Sequence, residues 1–264
     1  MTPLHRVLDG LDPSGRAHLP EDWAQGRSTF GGLVVALGLR AMRRQLPDDR
    51  RARSLLVSFV GPVEPARARF AVDRLRAGGA VTHLRATVIQ RDELRCVVLG
   101  CFGAARDSAL TLPGDPRPEV SGPEGLAEMP FIAGVVPSFT RHFAFRFAIG
   151  APPFAGSTQR EMGGWCRLLQ DGTSTREERI AALVDAWPTP ALPMLTTPAP
   201  ASSLTWALDF VDSGHDLGSS ADGWWLFMAR AEAAAAGYVQ SRGALWTPTG
   251  CLAALSRQSS AVFG

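Results

Sequence analysis

Asp185 and Gln258 are polar residues at the ends of two otherwise apolar segments. Asp185 lies near the end of a predicted amphipathic helix, and a carboxylate buried at this negative pole has a raised pKa, which suits a general base. Gln258 follows the apolar segment 251–255, where its amide could hold a water molecule or a carbonyl group. The simpler interpretations are a solvated aspartate and a polar strand end.

A hydroxyl group and free backbone N–H groups add to this set. Ser203 begins a predicted strand, on the face of Thr205 and opposite to Trp206, so its hydroxyl is either part of a site or a surface group. Gly31 and Gly32 open a predicted helix, whose free N–H donors stabilise a carbonyl oxygen that acquires negative charge. Close packing of this helix on a sheet is the alternative that the spacing alone favours.

Two helices and two groups of strands must position these residues. Residues 30–45 predict a buried helix with Thr29 as its N-cap. Residues 175–186 predict a second helix, which Ser174 caps. No helices separate the strands that follow, so the strands pair antiparallel around each helix in an α+β fold. The strands are predicted at 54–63, 68–75, 81–90 and 95–102, and at 143–149, 164–169, 203–211, 224–234, 236–246 and 251–258.

The repeated order of helix and strands indicates a tandem duplication. We expect a first unit at 1–110, a proline-rich linker at 111–140 and a second unit at 141–264. The proline-rich segment 187–200 is expected to be a long ordered loop within the second unit. The alanine-rich segment 231–237 favours a helix by propensity, and only the repeat assigns it to a strand.

The composition excludes several classes of protein. Apolar residues make up 45% and charged residues 20% of the 264 residues, which is typical of a chain with a full core. All 27 basic residues are arginine, but the net charge is only +2, so a nucleic-acid-binding protein is not expected. The absence of lysine also excludes a Walker A loop.

Neither a metal site nor a disulfide framework is predicted. The histidines are scattered, and the cysteines form no CxxC pair and lie in apolar segments, as buried thiols do. These residues are His5, His18, His83, His142 and His215, and Cys96, Cys101, Cys166 and Cys251. No segment reaches the ~20 apolar residues of a membrane span, and the N-terminus lacks the apolar core of a signal peptide. We therefore expect a cytoplasmic protein.

Five short motifs, taken in order, resemble those of the TesB-like double hotdog acyl-CoA thioesterases. This resemblance spans roughly 20–110 and 140–262 and implies a tandem hotdog fold, in which each half is an antiparallel sheet around a central helix. Leu33 departs from the pattern, because many relatives carry a glutamine after the two glycines. The motifs are Thr29–Ala36, Ser58–Pro62, Leu183–Ala186, Ser203–Trp206 and Leu252–Gln258.

The resemblance implies that Asp185, Ser203 and Gln258 together orient a water molecule that attacks a thioester carbonyl. Ser202 and Thr205 remain alternatives to Ser203, since the assignment depends on where the preceding loop ends. The implied reaction is hydrolysis of an acyl-CoA to free CoA and a carboxylic acid, without a covalent intermediate and without a cofactor or metal.

The resemblance also gives roles to residues around this water. Gly31 or Gly32 would supply the amide donors for the oxyanion. Phe59, Trp187 and Trp206 are candidate walls of an apolar acyl tunnel between helix and sheet. Exposed arginines could contact the phosphates of CoA.

Two further questions stay open at the level of sequence. A non-catalytic acyl-CoA-binding or lipid-binding hotdog protein is the alternative to an enzyme. Two hotdog repeats in one chain are compatible with a monomer, whereas exposed strand edges and the resemblance favour a homodimer or a larger homo-oligomer.

Overall fold

The structure is a computed structural model that describes residues 1–211 and 223–263. The α-helices in these ranges are α1 (Leu4–Asp9), α2 (Gly31–Arg43) and α3 (Arg176–Asp185). The strands are β1 (Arg16–His18), β2 (Ala24–Gln25), β3 (Ser28–Thr29), β4 (Arg51–Phe59), β5 (Arg67–Ala77), β6 (Val81–Gln90), β7 (Glu93–Gly103), β8 (Phe143–Ile149), β9 (Glu161–Leu168), β10 (Ala201–Phe210), β11 (Trp225–Ala235), β12 (Tyr238–Trp246) and β13 (Leu252–Val262).

Eleven of these strands form one antiparallel sheet in the order β1-β5-β6-β7-β4-β10-β13-β12-β11-β9-β8. The sheet is centred on the pair β4 and β10, where Ala207 lies opposite Leu56. Outward from this pair, the strands are arranged in descending chain order on both sides. They are β7, β6 and β5 on one side, and β13, β12 and β11 on the other. The predicted α+β fold of two antiparallel half-sheets is confirmed.

Each half-sheet has one helix packed against it. α2 consists almost entirely of Leu, Val, Ala and Gly, and ten of its residues are buried. Thr29 is not its N-cap as predicted: Phe30 is, and no side chain caps the helix. Thr29 instead belongs to β3, and its N–H donates to the carbonyl of Val63, which keeps its backbone extended.

A capping box starts α3 one residue later than the sequence predicts. The Thr175 hydroxyl accepts from the Glu178 N–H at 3.3 Å, and the Glu178 carboxylate accepts from the Thr175 N–H at 2.8 Å. Ser174 donates instead to Asp171, so the predicted cap at Ser174 is wrong. Because this box satisfies two free N–H groups, it fixes where α3 begins. The helix ends at Asp185.

The alanine-rich segment lies in strand β11 and the turn that follows it. Ala231 pairs with Ser241 of β12, so ladder hydrogen bonds override the helical propensity of alanine. Ala236 and Gly237 then form the tight turn to β12 with φ values of 51° and 80°. This pairing aligns β12 beside β13 and thereby places Ser241 opposite Gln258.

α2 and α3 pack side by side and run in opposite directions. Gly31, at the start of α2, lies against Asp185 at the end of α3. At the other end of the pair, Arg40 of α2 binds Glu178 of α3. Among the described residues, no helix is long and apolar enough to cross a membrane.

Candidate active site

Asp185 and Gln258 lie together, although they are 73 positions apart in the sequence. The Gln258 Nε2 donates to Asp185 Oδ1 at 3.0 Å. Asp185 is half-buried at the last residue of α3, and Gln258 is half-buried on the inner face of β13. A carboxylate in this position keeps some access to water while protein atoms surround it.

Burial raises the pKa of Asp185 to about 7, which is the largest shift toward the neutral range in this region. Two neutral donors, the Gln258 amide and the Gly32 N–H, oppose this effect and lower the pKa. No arginine or histidine of the described ranges forms an ion pair with this carboxylate. With a pKa near neutrality, the carboxylate can accept a proton and also release it.

Gly31 and Gly32 let α2 approach Asp185 more closely than other residues would. A Cβ atom on Gly31 would lie 2.8 Å from Asp185 Oδ2 and 3.2 Å from the ring of Phe59. A Cβ on Gly32 would lie 2.5 Å from the ring of Phe30 and 3.0 Å from the Ala181 carbonyl. The glycines therefore do both things that the sequence left open: they pack closely and expose N–H groups at a buried carboxylate.

Ser203 lies on the inner face of the sheet, and the predicted face is wrong. A bulge between Ser203 and Thr205 shifts the register, so Ser203 pairs with Ser260 while Trp206 pairs with Gln258. Ser203 and Trp206 therefore share the inner face, since Ser260 and Gln258 are two residues apart on a regular strand. Thr205 pairs with Ser259 on the outer face and is exposed, so of Ser203 and Thr205 only Ser203 shares the inner face with Gln258.

The three aromatic residues of the predicted tunnel have different surroundings. The ring of Phe59 lies beside Gly31, 3.2 Å from where a Cβ of that residue would be, and Gly31 is next to Asp185. Trp206 lies opposite Gln258 and is fully buried. Trp187 points into an aromatic cluster under the second half-sheet, with its ring 5.4 Å from that of Phe145. Phe59 and Trp206 thus border Asp185 and Gln258, whereas Trp187 packs in the core.

A row of polar residues on the inner face of β13 was missed at the level of sequence. Ser256, Gln258 and Ser260 alternate along the strand, and Ser241 of β12 pairs with Gln258. Ser256 accepts a hydrogen bond from the Trp206 indole at 2.9 Å. Polar residues at every second position of a strand that covers a core were the signal available in the sequence.

Metal-ligating side chains do not cluster here. In the ranges 1–211 and 223–263, no three His, Cys, Asp or Glu residues are grouped as metal ligands. Of the histidines considered above, His215 lies outside the described residues. The site as described consists of a carboxylate, an amide, hydroxyl groups and backbone donors.

Two family models match this sequence, one for each half. The acyl-CoA thioesterase N-terminal domain matches residues 19–103, and the acyl-CoA thioesterase C-terminal domain matches residues 123–262. The chain belongs to the acyl-CoA thioesterase family. The resemblance noted from the sequence is thereby confirmed.

Solved structures of the same fold cover nearly the whole thioesterase-family chain. The acyl-CoA thioesterase II TesB2 of Mycobacterium marinum is 20% identical, with a TM-score of 0.74 over 94% of this chain and 93% of its own. A TesB protein of Mycobacterium avium subsp. paratuberculosis is 17% identical, with a TM-score of 0.78 over 99% of both chains. A hot dog fold protein of Alicyclobacillus acidocaldarius is 21% identical, with a TM-score of 0.81 over 94% and 92%.

At these identities the comparison establishes the tandem hotdog fold alone. Among curated proteins, no match was found. The roles of individual residues therefore rest on the geometry of this chain.

Proposed function

We propose that this protein hydrolyses acyl-CoA thioesters to free CoA and a carboxylic acid. The observation that carries the proposal is the hydrogen bond between Asp185 and Gln258, formed by a carboxylate whose burial raises its pKa to about 7. The thioesterase family models on both halves of the chain support the thioester as the bond that is cleaved.

In this mechanism Asp185 is the general base. It removes a proton from a water molecule as that water attacks the thioester carbonyl, and the tetrahedral intermediate then expels the CoA thiolate. The protonated Asp185 returns its proton to the thiolate or to solvent, and no covalent bond to the protein forms. Because its pKa is about 7, Asp185 is substantially ionised at neutral pH without being stabilised by a cation.

Gln258 and Ser203 orient the water. One N–H of the Gln258 amide is bound to Asp185, which leaves its second N–H and its carbonyl oxygen free to contact water or substrate. Ser203 occupies the next inner-face position along the sheet and supplies a hydroxyl that both donates and accepts. Together with Asp185, these two side chains fix both the position of the water molecule and the direction in which its attacking lone pair points.

The start of α2 supplies the donors for the oxyanion. The first N–H groups of a helix have no partner within the helix, and the Gly31 N–H lies at the same end of α2 as the Asp185 carboxylate. Since the Gly32 N–H points to Asp185, Gly31 is the stronger candidate of the pair for the substrate oxygen.

Release of free thiol from a panel of acyl-CoA esters tests the proposal. We expect thiol release that follows Michaelis–Menten kinetics, whereas the alternative of a binding protein predicts saturable binding of acyl-CoA with no thiol released. Isothermal titration with a non-hydrolysable thioether analogue measures binding independently. Absence of thiol release from every ester, by a folded protein that binds the analogue, would refute hydrolysis.

A further inference from the structure

Trp206 occupies the inner face of the sheet directly beside Gln258. The two residues are opposite each other on β10 and β13, and Trp206 is only 1% exposed. Its indole N–H donates to Ser256 Oγ at 2.9 Å. Ser256 precedes Gln258 by two residues on the same strand, so the indole extends from the level of Gln258 toward Ser256.

The space beyond the indole is filled by core residues. On β4 the residue opposite Trp206 is Val57, and the next inner-face residue of β10 is Leu208, both of which are buried. A depression of about 350 Å³ does lie near this point, but exposed residues such as Leu56 and Leu99 line it on the outer face of the sheet. An acyl chain that started at Gln258 and ran along the inner face toward Ser256 would meet the indole first.

We propose that Trp206, held by Ser256, closes the acyl pocket beyond Gln258 and restricts hydrolysis to short acyl groups, acetyl to butyryl. This inference rests on the proposed function. A tryptophan whose indole N–H is bonded has one orientation, because rotation of the ring would leave a buried donor without a partner. Trp206 therefore sets the pocket length, and Ser256 is a positioning residue that acts through it.

The kcat/KM values for acetyl-, butyryl-, hexanoyl- and octanoyl-CoA test the inference. The wild type is expected to cleave the first two and to lose activity steeply beyond them. Trp206→Leu is expected to raise the octanoyl-to-acetyl ratio of kcat/KM at least ~10-fold, since each methylene accommodated in an apolar pocket contributes a factor of about 10 or more. Trp225→Leu is the matched control, because Trp225 is equally buried but lies on β11.

Two variants of Ser256 distinguish the effect of the orientation of the Trp206 indole from the effect of its size. Ser256→Ala removes the acceptor and frees the indole to rotate, so the octanoyl-to-acetyl ratio rises; Ser256→Thr keeps a hydroxyl acceptor and keeps the wild-type ratio. If Trp206→Leu does not fold, the Ser256 pair decides the matter, because both of these changes are small.

The outcomes distinguish this inference from the proposed function. A wild type that cleaves octanoyl-CoA as well as acetyl-CoA overturns the short-chain pocket and leaves hydrolysis intact. The same holds if Trp206→Leu and Trp225→Leu change the chain-length ratio equally. Absence of thiol release from all four esters instead overturns the function on which the inference rests.

Discussion

The two ends of the α2–α3 helix pair each hold an acidic residue of α3 but surround it differently. At one end Glu178 is fully buried and bound by Arg40 through two hydrogen bonds of 2.6 and 2.9 Å. At the other end Asp185 has only neutral donors, Gln258 and the start of α2. The first carboxylate is thus paired with a cation, whereas burial raises the pKa of the second to about 7, where a carboxyl group can exchange a proton at neutral pH.

The two helices also differ in sequence at positions that match when each helix is counted from its first residue. Arg40 and Asp185 are both the tenth residue of their helices, and Leu33 and Glu178 are both the third. By this count α2 has an arginine where α3 has Asp185, and a leucine where α3 has Glu178.

The largest expected effect comes from exchanging each carboxylate for its amide. Asp185→Asn removes the base and is expected to lower kcat/KM by about 10²–10⁴-fold. Glu178→Gln breaks the buried ion pair and is expected to lower stability on the order of 3 kcal/mol with kcat nearly unchanged. Thiol release and urea unfolding of both variants measure the contrast. An Asp185→Asn protein as active as the wild type would refute the assignment of the base.

The second-largest expected effect is the contribution of Asp185 to the pH dependence of the stability of the fold. The folded-state pKa of Asp185, about 7, exceeds the value of about 3.9 in an unfolded chain. Between these values the unfolded state loses its proton first, so stability falls as pH rises from 4 to 7 and is level above that.

The Asp185→Asn variant has no carboxyl group at this position, so it does not lose stability in this way as the pH rises from 4 to 7. It should therefore be more stable than the wild type at pH 8, on the order of 2 kcal/mol after allowance for the solvent contact of Asp185, and should show a smaller difference at pH 4. Thermal and urea unfolding at the two pH values give the comparison. Equal differences at pH 4 and pH 8 would show that the pKa of Asp185 is not raised.

A methyl group at the start of α2 should disturb only the reactive end. Gly31→Ala places its Cβ against the Asp185 carboxylate and is expected to lower kcat about 10–100-fold by displacing it. In the same helix, Gly38→Ala meets nothing closer than 3.5 Å and should gain about 0.5–1 kcal/mol of stability at unchanged kcat. Similar kcat values for the two variants would mean that close approach at Gly31 is not needed.

The smallest expected effect concerns the amide that tunes the base. Gln258→Met removes the hydrogen bond that lowers the pKa of Asp185, so the midpoint of the pH profile of kcat/KM should rise above about 7 and kcat should fall about 10-fold. Ser259→Ala, on the opposite face of β13, is the control. If the midpoint of the pH profile is the same in Gln258→Met as in the wild type, Gln258 does not lower the pKa of Asp185.

Local patterns were enough to predict the fold, whereas Asp185 and Gln258 were predicted as site residues through the resemblance to the thioesterases. By themselves, the helix pattern before Asp185 and the apolar segment 251–255 before Gln258 fitted a solvated aspartate and a polar strand end at least as well, and neither pattern showed that the two residues lie together. Because a strand ladder repeats regularly, the antiparallel half-sheets followed from strands that no helix separates.

Irregular and long-range features were not predictable in the same way. The bulge after Ser203 places that residue on the face opposite to the predicted one. The residue types around Ser203 do not indicate a bulge. The bond between Arg40 and Glu178 joins residues 138 positions apart, which requires the packing of α2 on α3. The cap of α3 was predicted one residue too early, because Ser174 and Thr175 are both favourable caps by type and Ser ranks above Thr.

The joining of both repeats in one chain has an evolutionary consequence. In a symmetric dimer of identical single-hotdog subunits, each substitution appears at both ends of the helix pair, so both ends are reactive or both are ion-paired. A duplicated chain is free of this constraint, because Arg40 and Asp185 mutate independently. One end can then specialise in holding the helices together while the other diverges toward new acyl groups.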